Sequence, residues 1–548
     1  MARLHTRLNV AIMLLIVSVL GQVFASPVMA AESDDAAYLS QWLNQPELVF
    51  EGLHVPTTTL RQAYQARNFQ PLWVDGQGLS ERGKAALAQI EKAGDEGLNP
   101  ELYGISTIHR VAAMTGDDAQ QQMQVRLSLE VMMSYAVLHY TSDMQGGYAK
   151  PQWDTGLETL NTQEQIALLK SVGDAPDVTA YLQSLTPQSA DYAALKTGFK
   201  HYQQIAANGG WPSFGQGTKL KPGAADARSA ALKQILESTG DLTVAASDTH
   251  YDAALVAAVK QFQSRHSIDA DGVIGASTQH ELNVPVGKRI EQMAMTMERM
   301  RWMPHSLGDR YVLVNIPAYK LRAVANGQQL AMNVIVGKTT TPTPMFSKNI
   351  TNIVFNPSWG VPQKIAVKEM LPKMQHNPNY LTNAGYTLTE NGQEIDPNTV
   401  DWNAVGKNNF AYSISQKPGD GNALGKVKFL IPDSDDIYLH DTSNHGLFAK
   451  AERDLSHGCV RLSDPEALTK FVLTSEGWSE KKFESHYDSD ESRTVAIKPL
   501  PVYFVYWTSW VDGKGAPHFE RDIYGKDDSL MAALNMKPAR DDIKLAMN

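Results

Sequence analysis

The chain has 548 residues, enough for several domains of ordinary size, a formal net charge of −10 and a single cysteine. The acidic balance, with no basic stretch to neutralise phosphates, argues against a nucleic-acid binder. One thiol cannot form an intramolecular disulfide, so stability must come from buried core.

At the amino terminus Arg3, His5 and Arg7 precede an apolar run from Leu8 to Leu20, and small residues with Val28-Met29-Ala30 follow. Residues 1–30 therefore read as a signal peptide for export. The run is short against the roughly 20 residues of a membrane span, which leaves an uncleaved inner-membrane anchor as the alternative. Residues 33–244 carry a helical signal: Met123, Leu127, Val131, Tyr135 and Leu138 recur at spacings of three and four. Gly97-Leu98-Asn99-Pro100 and Gly209-Gly210-Trp211-Pro212 punctuate it. With no clustered acid, base or nucleophile, this region is expected to be a mainly α scaffold.

A small helical module is expected over 245–286. Leu255, Val259 and Phe262 form a stripe, Asp271-Gly272 a turn, and Ser277-Thr278 a cap for a second helix carrying Leu282. So small a unit must lean on neighbours or bind something. Asp269-x-Asp271-Gly272 lacks the glycine placement and further ligand of a calcium loop, so no metal is expected there.

After a helical stretch from Arg289 to Met303, the period changes to alternation, and a β-rich domain is expected over 305–525. Tyr311–Ile316, Leu321–Ala325 and Leu330–Val336 read as strands, with Asn326-Gly327 a tight turn between the last two. Thr351–Phe355, Lys426–Ile431, Ile437–His440 and Val502–Val511 continue the pattern. Between residues 365 and 420 the alternation lapses into an Asn-, Pro- and Gly-rich segment with one short helical piece near Ala366–Met374, expected to be a lid or binding loop. A hairpin at Asp512-Gly513 and a tail over 526–548, read as a loosely docked helix, close the chain. The expected class is multidomain α+β.

Three stretches carry chemistry. In Ile437-Tyr438-Leu439-His440-Asp441 the alternation puts Tyr438 and His440 on one strand face. Cys459, nineteen residues after His440, sits in Ser456-His457-Gly458-Cys459-Val460-Arg461. A thiol is mostly protonated at neutral pH, and an imidazole beside it acts as base or counter-ion, so Cys459 is the candidate nucleophile and His440 the candidate base. The other imidazole nitrogen needs an acceptor, and Asp441 is expected to supply its backbone carbonyl, because adjacent side chains on a strand diverge. A glycine before the nucleophile lets backbone approach a tetrahedral intermediate, making the amides of Gly458 and Cys459 the candidate oxyanion hole. Ser463-Asp464-Pro465-Glu466 reads as a capping box opening a helix behind the loop. Arg461 is placed either to hold a substrate carboxylate or to pair with an acid. Asn444 and His445 read as loop residues. A metallopeptidase is disfavoured, since His280-Glu281 has no second histidine four residues on.

These residues resemble a known family. His440, Ser456-His457-Gly458-Cys459-Val460-Arg461, Pro418-Gly419-x-x-Asn422-Ala423-Leu424-Gly425 and Pro357-Ser358-Trp359-Gly360-Val361-Pro362 together look like the YkuD-like L,D-transpeptidases. Ala258 to Gln263, Asp271 to Gly275 and Thr278 resemble a peptidoglycan-binding domain. The layout, including Asn68-Phe69-Gln70-Pro71-Leu72-Trp73 and Tyr503-Phe504-Val505-Tyr506-Trp507, resembles the large periplasmic YcbB type. The resemblance implies Cys459 as nucleophile, His440 as base, and Tyr438, His457, Arg461 and Trp359 as substrate-binding or supporting residues. It also implies a thioester formed from a tetrapeptide stem with loss of D-alanine, then resolved by an acceptor stem to a 3→3 cross-link, with no metal or organic cofactor. Carbapenems are the covalent inhibitors it implies. A carboxypeptidase and a glycan polymerase are the protein partners such a reaction invites. Two other readings remain open: the same thioester passed to water or free D-amino acids, and a non-catalytic wall-binding scaffold, which alone predicts that Cys459→Ala leaves function intact.

Overall fold

The computed structural model describes residues 34–149, 160–243 and 250–535. The expected signal peptide, the first residues assigned to the small module and the end of the tail lie outside them. Among the described residues no helix is long and apolar enough to cross a membrane.

Scaffold, small module and β-rich domain appear in the expected α+β arrangement. The scaffold is organised by helix α1 (Ala119–Gly146), whose Leu127, Val131, Tyr135 and Leu138 are buried. Glu130 is also fully buried, and is tolerated there because it accepts the amides of Leu72 (2.6 Å), Trp73 (2.8 Å) and Val74 (3.2 Å) and the Tyr64 hydroxyl. Asn68 and Phe69 take φ of 55° and 58°, turning the chain ahead of those amides. Helix α2 (Ala190–Ala207) packs on a later helix and on the outside of the β domain through Tyr192, Phe199, Met293, Met297, Leu313 and Tyr503.

The small module contains α3 (Ala253–Arg265) and α4 (Ala276–Leu282), and its core reaches back through Ile235, Leu232 and Leu220 to Phe214. Its apolar unit therefore begins well ahead of 245, since helix 228–238 has nowhere else to bury Leu232 and Ile235. Ser277-Thr278 does not cap α4: the N-cap is Gly275, and Thr278 lies inside the helix accepting from Gln263 Nε2 at 3.2 Å. The module leans on the β domain, with the His266 ring stacked on Phe262 (3.9 Å) and facing Phe519 (5.6 Å). Helix α5 (Val286–Arg301) follows; its buried Arg301 pairs with Glu298 and donates to the Glu96 carbonyl at 2.9 Å, joining this helix to the scaffold.

The β domain has strands β1 (Arg310–Asn315), β2 (Lys320–Ala325), β3 (Gln328–Gly337), β4 (Phe346–Phe355), β5 (Trp359–Gly360), β6 (Tyr386–Glu390), β7 (Gln393–Ile395), β8 (Tyr412–Gln416), β9 (Val427–Leu430), β10 (Tyr438–His440), β11 (Asp454–Ser456), β12 (Val460–Leu462) and β13 (Arg493–Val505). The main sheet runs β11-β3-β12-β10-β9-β4-β13-β1-β2 and closes because β3 also pairs with β2. Val314, Leu321, Val334, Ile353, Phe429, Leu439, Val460 and Leu462 fill the interior, all fully buried. Each stabilises by about 1.5–3 kcal/mol relative to exposure. Helix α6 (Pro465–Ser475) packs Leu468, Val472 and Leu473 against this barrel. Its N-cap is Asp464, whose side chain accepts from the Ala467 amide at 3.0 Å, rather than Ser463, whose own amide donates to the Asn333 carbonyl.

The segment expected to be irregular is a folded subdomain. Strands β7-β6-β8-β5 form a second sheet, and Met370, Met374, Leu381, Leu388, Trp402 and Ile414 make its core. Its sheet starts at Trp359, which pairs with Gln416. The chain ends in a hairpin, β14 (Ser509–Val511) with β15 (Pro517–Phe519), and helix α7 (Asp527–Asn535). That helix is docked firmly over its described length: Arg299 pairs with Asp527 at 2.6 Å, and Leu530 is buried with Met295 and Trp302.

Candidate active site

Strand register builds the site. β10 and β12 pair in parallel, Leu439 opposite Val460 and His440 opposite Arg461, which sets Tyr438 level with Cys459. Neighbours in register point to the same face of a sheet. Leu439, Val460 and Leu462 enter the barrel core, so Tyr438, His440, Cys459 and Arg461 project together from its outside. On the other flank β9 pairs Lys428 with His440 and Leu430 with Tyr438. Lys428 therefore joins the same face, its Nζ lying 3.7 Å from the centroid of the Tyr438 ring.

His440 is 5% exposed, and its Nδ1 lies 2.5 Å from the Asp441 carbonyl oxygen. Burial, then the charges of Arg461 and Lys428, push its pKa down to about 3, with the Asp441 carbonyl opposing. At neutral pH the ring is uncharged. It donates through Nδ1 and keeps a lone pair on Nε2. The Asp441 carboxylate is occupied elsewhere, accepting the amides of Lys426 (2.8 Å) and Thr442 (2.6 Å) and contacting His445 Nε2 at 3.2 Å. Gly425 makes room for it, since a Cβ there would fall 2.2 Å from Asp441 Oδ2.

Cys459 is half-buried, and its Sγ donates to the Asp436 carbonyl at 3.5 Å. Burial raises the thiol above its ordinary range, while hydrogen bonding from the Tyr438 amide and side chain and the charge of Lys428 pull it down. Asp433, Asp435 and Asp436 leading into β10 all take positive φ (58°, 51° and 62°), a strained approach of the sort found at functional sites.

The nucleophile loop is held from within. Ser456 Oγ donates to the Cys459 carbonyl (2.6 Å) and accepts the Gly458 amide (3.1 Å), and Thr343 Oγ1 donates to the Gly458 carbonyl (2.6 Å). Gly458 has φ of +119°, and a Cβ there would meet Ile437 Cδ1 at 3.1 Å. Of the two amides assigned to an oxyanion hole, that of Gly458 is thus engaged by Ser456 in this conformation.

Arg461 carries no ion pair among the described residues, and its buried Nε has no hydrogen-bond partner. Burial depresses its pKa, with Cys459 acting the other way. His457 is engaged outside the His440 strand, its Nε2 meeting Glu369 of the folded insertion. That insertion residue lies in a π-helical turn, Ala366–Met370, a local irregularity that is frequent at functional sites. Burial pushes the Tyr438 hydroxyl up, with the Trp359 side chain opposing, and the Trp359 ring lies 6.3 Å from that of Tyr386. Asn422 and Gln416 stay within their own turn, Asn422 bonding to the Lys417 carbonyl at 2.9 Å. Lys428 and Glu369 were not singled out from sequence. Alternation along Val427-Lys428-Phe429 exposes the lysine, yet only the pairing with β10 reveals which residues it faces.

Residues 309–493 match the YkuD family, described as "L,D-transpeptidase catalytic domain". Residues 58–198 match a "Scaffold domain" and 226–282 a "Putative peptidoglycan binding domain". A curated relative, "Putative L,D-transpeptidase" of Haemophilus influenzae, is 37% identical over 246 residues, 44% of this chain and 49% of that protein. The match thus spans about half of that relative's length. Solved structures include an L,D-transpeptidase from Stackebrandtia nassauensis (14% identity, 52% of this chain and 94% of that one, TM-score 0.20). Another is an L,D-transpeptidase from Mycobacterium smegmatis (13% identity, 36% and 58%, TM-score 0.18).

Proposed function

Because the chain carries a YkuD L,D-transpeptidase catalytic domain beside a peptidoglycan-binding domain and a scaffold domain, we propose that it forms 3→3 cross-links in peptidoglycan through a Cys459 thioester. The observation that carries this is the parallel β10–β12 pairing, which gathers Tyr438, His440, Cys459 and Arg461 on one face. Uncharged His440 accepts the thiol proton at Nε2 as sulfur attacks the carbonyl between the third residue and the terminal D-alanine of a donor stem. Lys428 steadies the developing thiolate and the Cys459 amide faces the oxyanion. His440 returns the proton to the departing D-alanine amine, leaving the thioester. The side-chain amine of an acceptor stem then attacks, His440 taking its proton and the thiolate leaving. Arg461, free of any acid, holds a stem carboxylate. The insertion, tied to the nucleophile loop by Glu369 to His457, excludes water so that an amine resolves the intermediate.

This reaction belongs in the periplasm, where the amino-terminal run directs the chain. A carboxypeptidase producing tetrapeptide donors and a glycan polymerase are its fitting partners, and a carbapenem acylates the same sulfur. The test is peptide-mapping mass spectrometry after exposure to a carbapenem and, separately, to disaccharide-tetrapeptide. An adduct on the Cys459 peptide, absent from Cys459→Ala, is expected. Conversion of tetrapeptide by Cys459→Ala would overturn the proposal.

A further inference from the structure

A cleft of about 870 Å³ lies on the outside of β1, β2 and β3, between the barrel, scaffold helix α2 and the β14–β15 hairpin. We propose that it binds the sugar part of the substrate, a chain of N-acetylated hexosamines, a proposal that rests on the peptidoglycan reading above. Trp507 lines the cleft and is 5% exposed, yet its indole Nε1 has no hydrogen-bond partner among the described residues. The Nε of Arg322, also on the wall, is likewise buried without an acceptor, although its terminal nitrogens engage Asp191 of α2 (2.8 Å for Nη1). Buried donors left unpaired in a folded protein call for an explanation, and a ligand rich in oxygen acceptors supplies one.

The cleft is also prearranged. Asn315 fixes the Trp507 backbone twice, accepting its amide (3.0 Å) and donating to its carbonyl (3.1 Å). Trp510, on the same wall, is held by Glu520 (2.7 Å) and stacked on His518 at 4.0 Å, which leaves its other face to the cleft. Indole faces with nearby amide and charged groups suit a pyranose, whose C–H face stacks while its hydroxyl and acetamido oxygens accept. A peptide would more naturally extend a sheet edge, but β1 and β2 are paired on both sides in the closed sheet and offer none.

Position agrees with chemistry. Asn333 and Ser463 line the cleft, and the Ser463 amide donates to the Asn333 carbonyl at 3.1 Å, two residues beyond Arg461. The register that sets Arg461 opposite Ile335 puts Cys459 level with Gly337, four residues along β3 from Asn333 at the near end of the cleft, about 13 Å. Three extended residues, the part of a stem between the sugar and the attacked carbonyl, span about 10 Å, and the link that joins them to the sugar covers the rest. A sugar at the Asn333–Ser463 end of the cleft therefore delivers its stem to Cys459, and the scaffold helix completes the cleft wall.

The test titrates the full chain with the β-1,4-linked tetramer of N-acetylglucosamine by calorimetry, alongside Trp510→Ala and Ala331→Trp. Ala331 is exposed on the cleft floor, so the added indole fills space without removing core. Saturable binding weakened at least tenfold in both variants is expected, with Cys459 alkylation by iodoacetamide unchanged. No binding, or equal binding by all three proteins, overturns the proposal, the latter placing the sugar elsewhere, as on the small module. Loss of binding to a sugar-free tetrapeptide in Ala331→Trp, with the tetramer unaffected, also overturns it. Sugar binding needs no thioester, so failure of the cross-linking reading would leave this titration standing.

Discussion

Alkylation of Cys459 should rise steeply with pH, because the resting site is a neutral thiol beside a neutral imidazole. Burial, with the charges of Arg461 and Lys428, holds the His440 pKa down at about 3, and burial raises that of Cys459. Even from the ordinary thiol value of about 8.5, moving the proton from sulfur to this imidazole climbs more than five decades, roughly 7.5 kcal/mol. Mutual attraction at about 4 Å and an effective dielectric of 20 returns about 4 kcal/mol, leaving the ion pair well under one per cent populated. At pH 7 the free thiolate is also a small minority, a few per cent at most. The second-order rate with iodoacetamide, followed by intact mass, should climb about tenfold per pH unit from 6 to 9 with no acid-side plateau. A rate that is flat between pH 4 and 8 would mean a preformed thiolate–imidazolium pair and would refute the reasoning.

Lys428→Met removes a charge that favours the thiolate, and should slow alkylation at pH 7 about three- to tenfold while leaving the fold intact by circular dichroism. An unchanged rate would remove Lys428 from the site. Gly458→Ala forces a side chain into φ of +119° against Ile437, and should lose about 1–3 kcal/mol of unfolding free energy in urea together with nearly all turnover. Glu369→Ala breaks a half-exposed contact to His457, so the melting temperature should barely move, the pair contributing under about 1 kcal/mol. Its signature is a higher ratio of hydrolysed tripeptide to cross-linked dimer; an unchanged ratio would deny the insertion a role in excluding water.

The strands around the nucleophile were legible because one face is buried: Leu439, Val460 and Leu462 mark the inside, and the residues between them must project outward. What alternation within a strand cannot reveal is which strand lies beside it. Hence the pattern predicts the strand that carries Lys428 but not what the lysine faces, nor the contact between Glu369 and His457, 88 positions apart. The insertion was misjudged as irregular because its strands are short and polar. Tyr386-Thr387-Leu388-Thr389-Glu390 and Tyr412-Ser413-Ile414-Ser415-Gln416 each offer one central aliphatic residue, and only the pairing of Leu388 with Ile414 exposes their common core. The module boundary at 245 erred for a similar reason, since Phe214 and Leu220 meet Leu255 and Ile274 only in three dimensions. Capping was misplaced by one residue at Ser463-Asp464, where Asp464 directly precedes Pro465 and takes the cap.

The most direct test of the central claim is mass spectrometry of the products formed from purified disaccharide-tetrapeptide by the protein, beside Cys459→Ala. A dimer lacking one D-alanine, seen with the native chain and absent with the variant, is the predicted result. Tripeptide without dimer would replace cross-linking by hydrolysis, and dimer formed by Cys459→Ala would contradict the account outright.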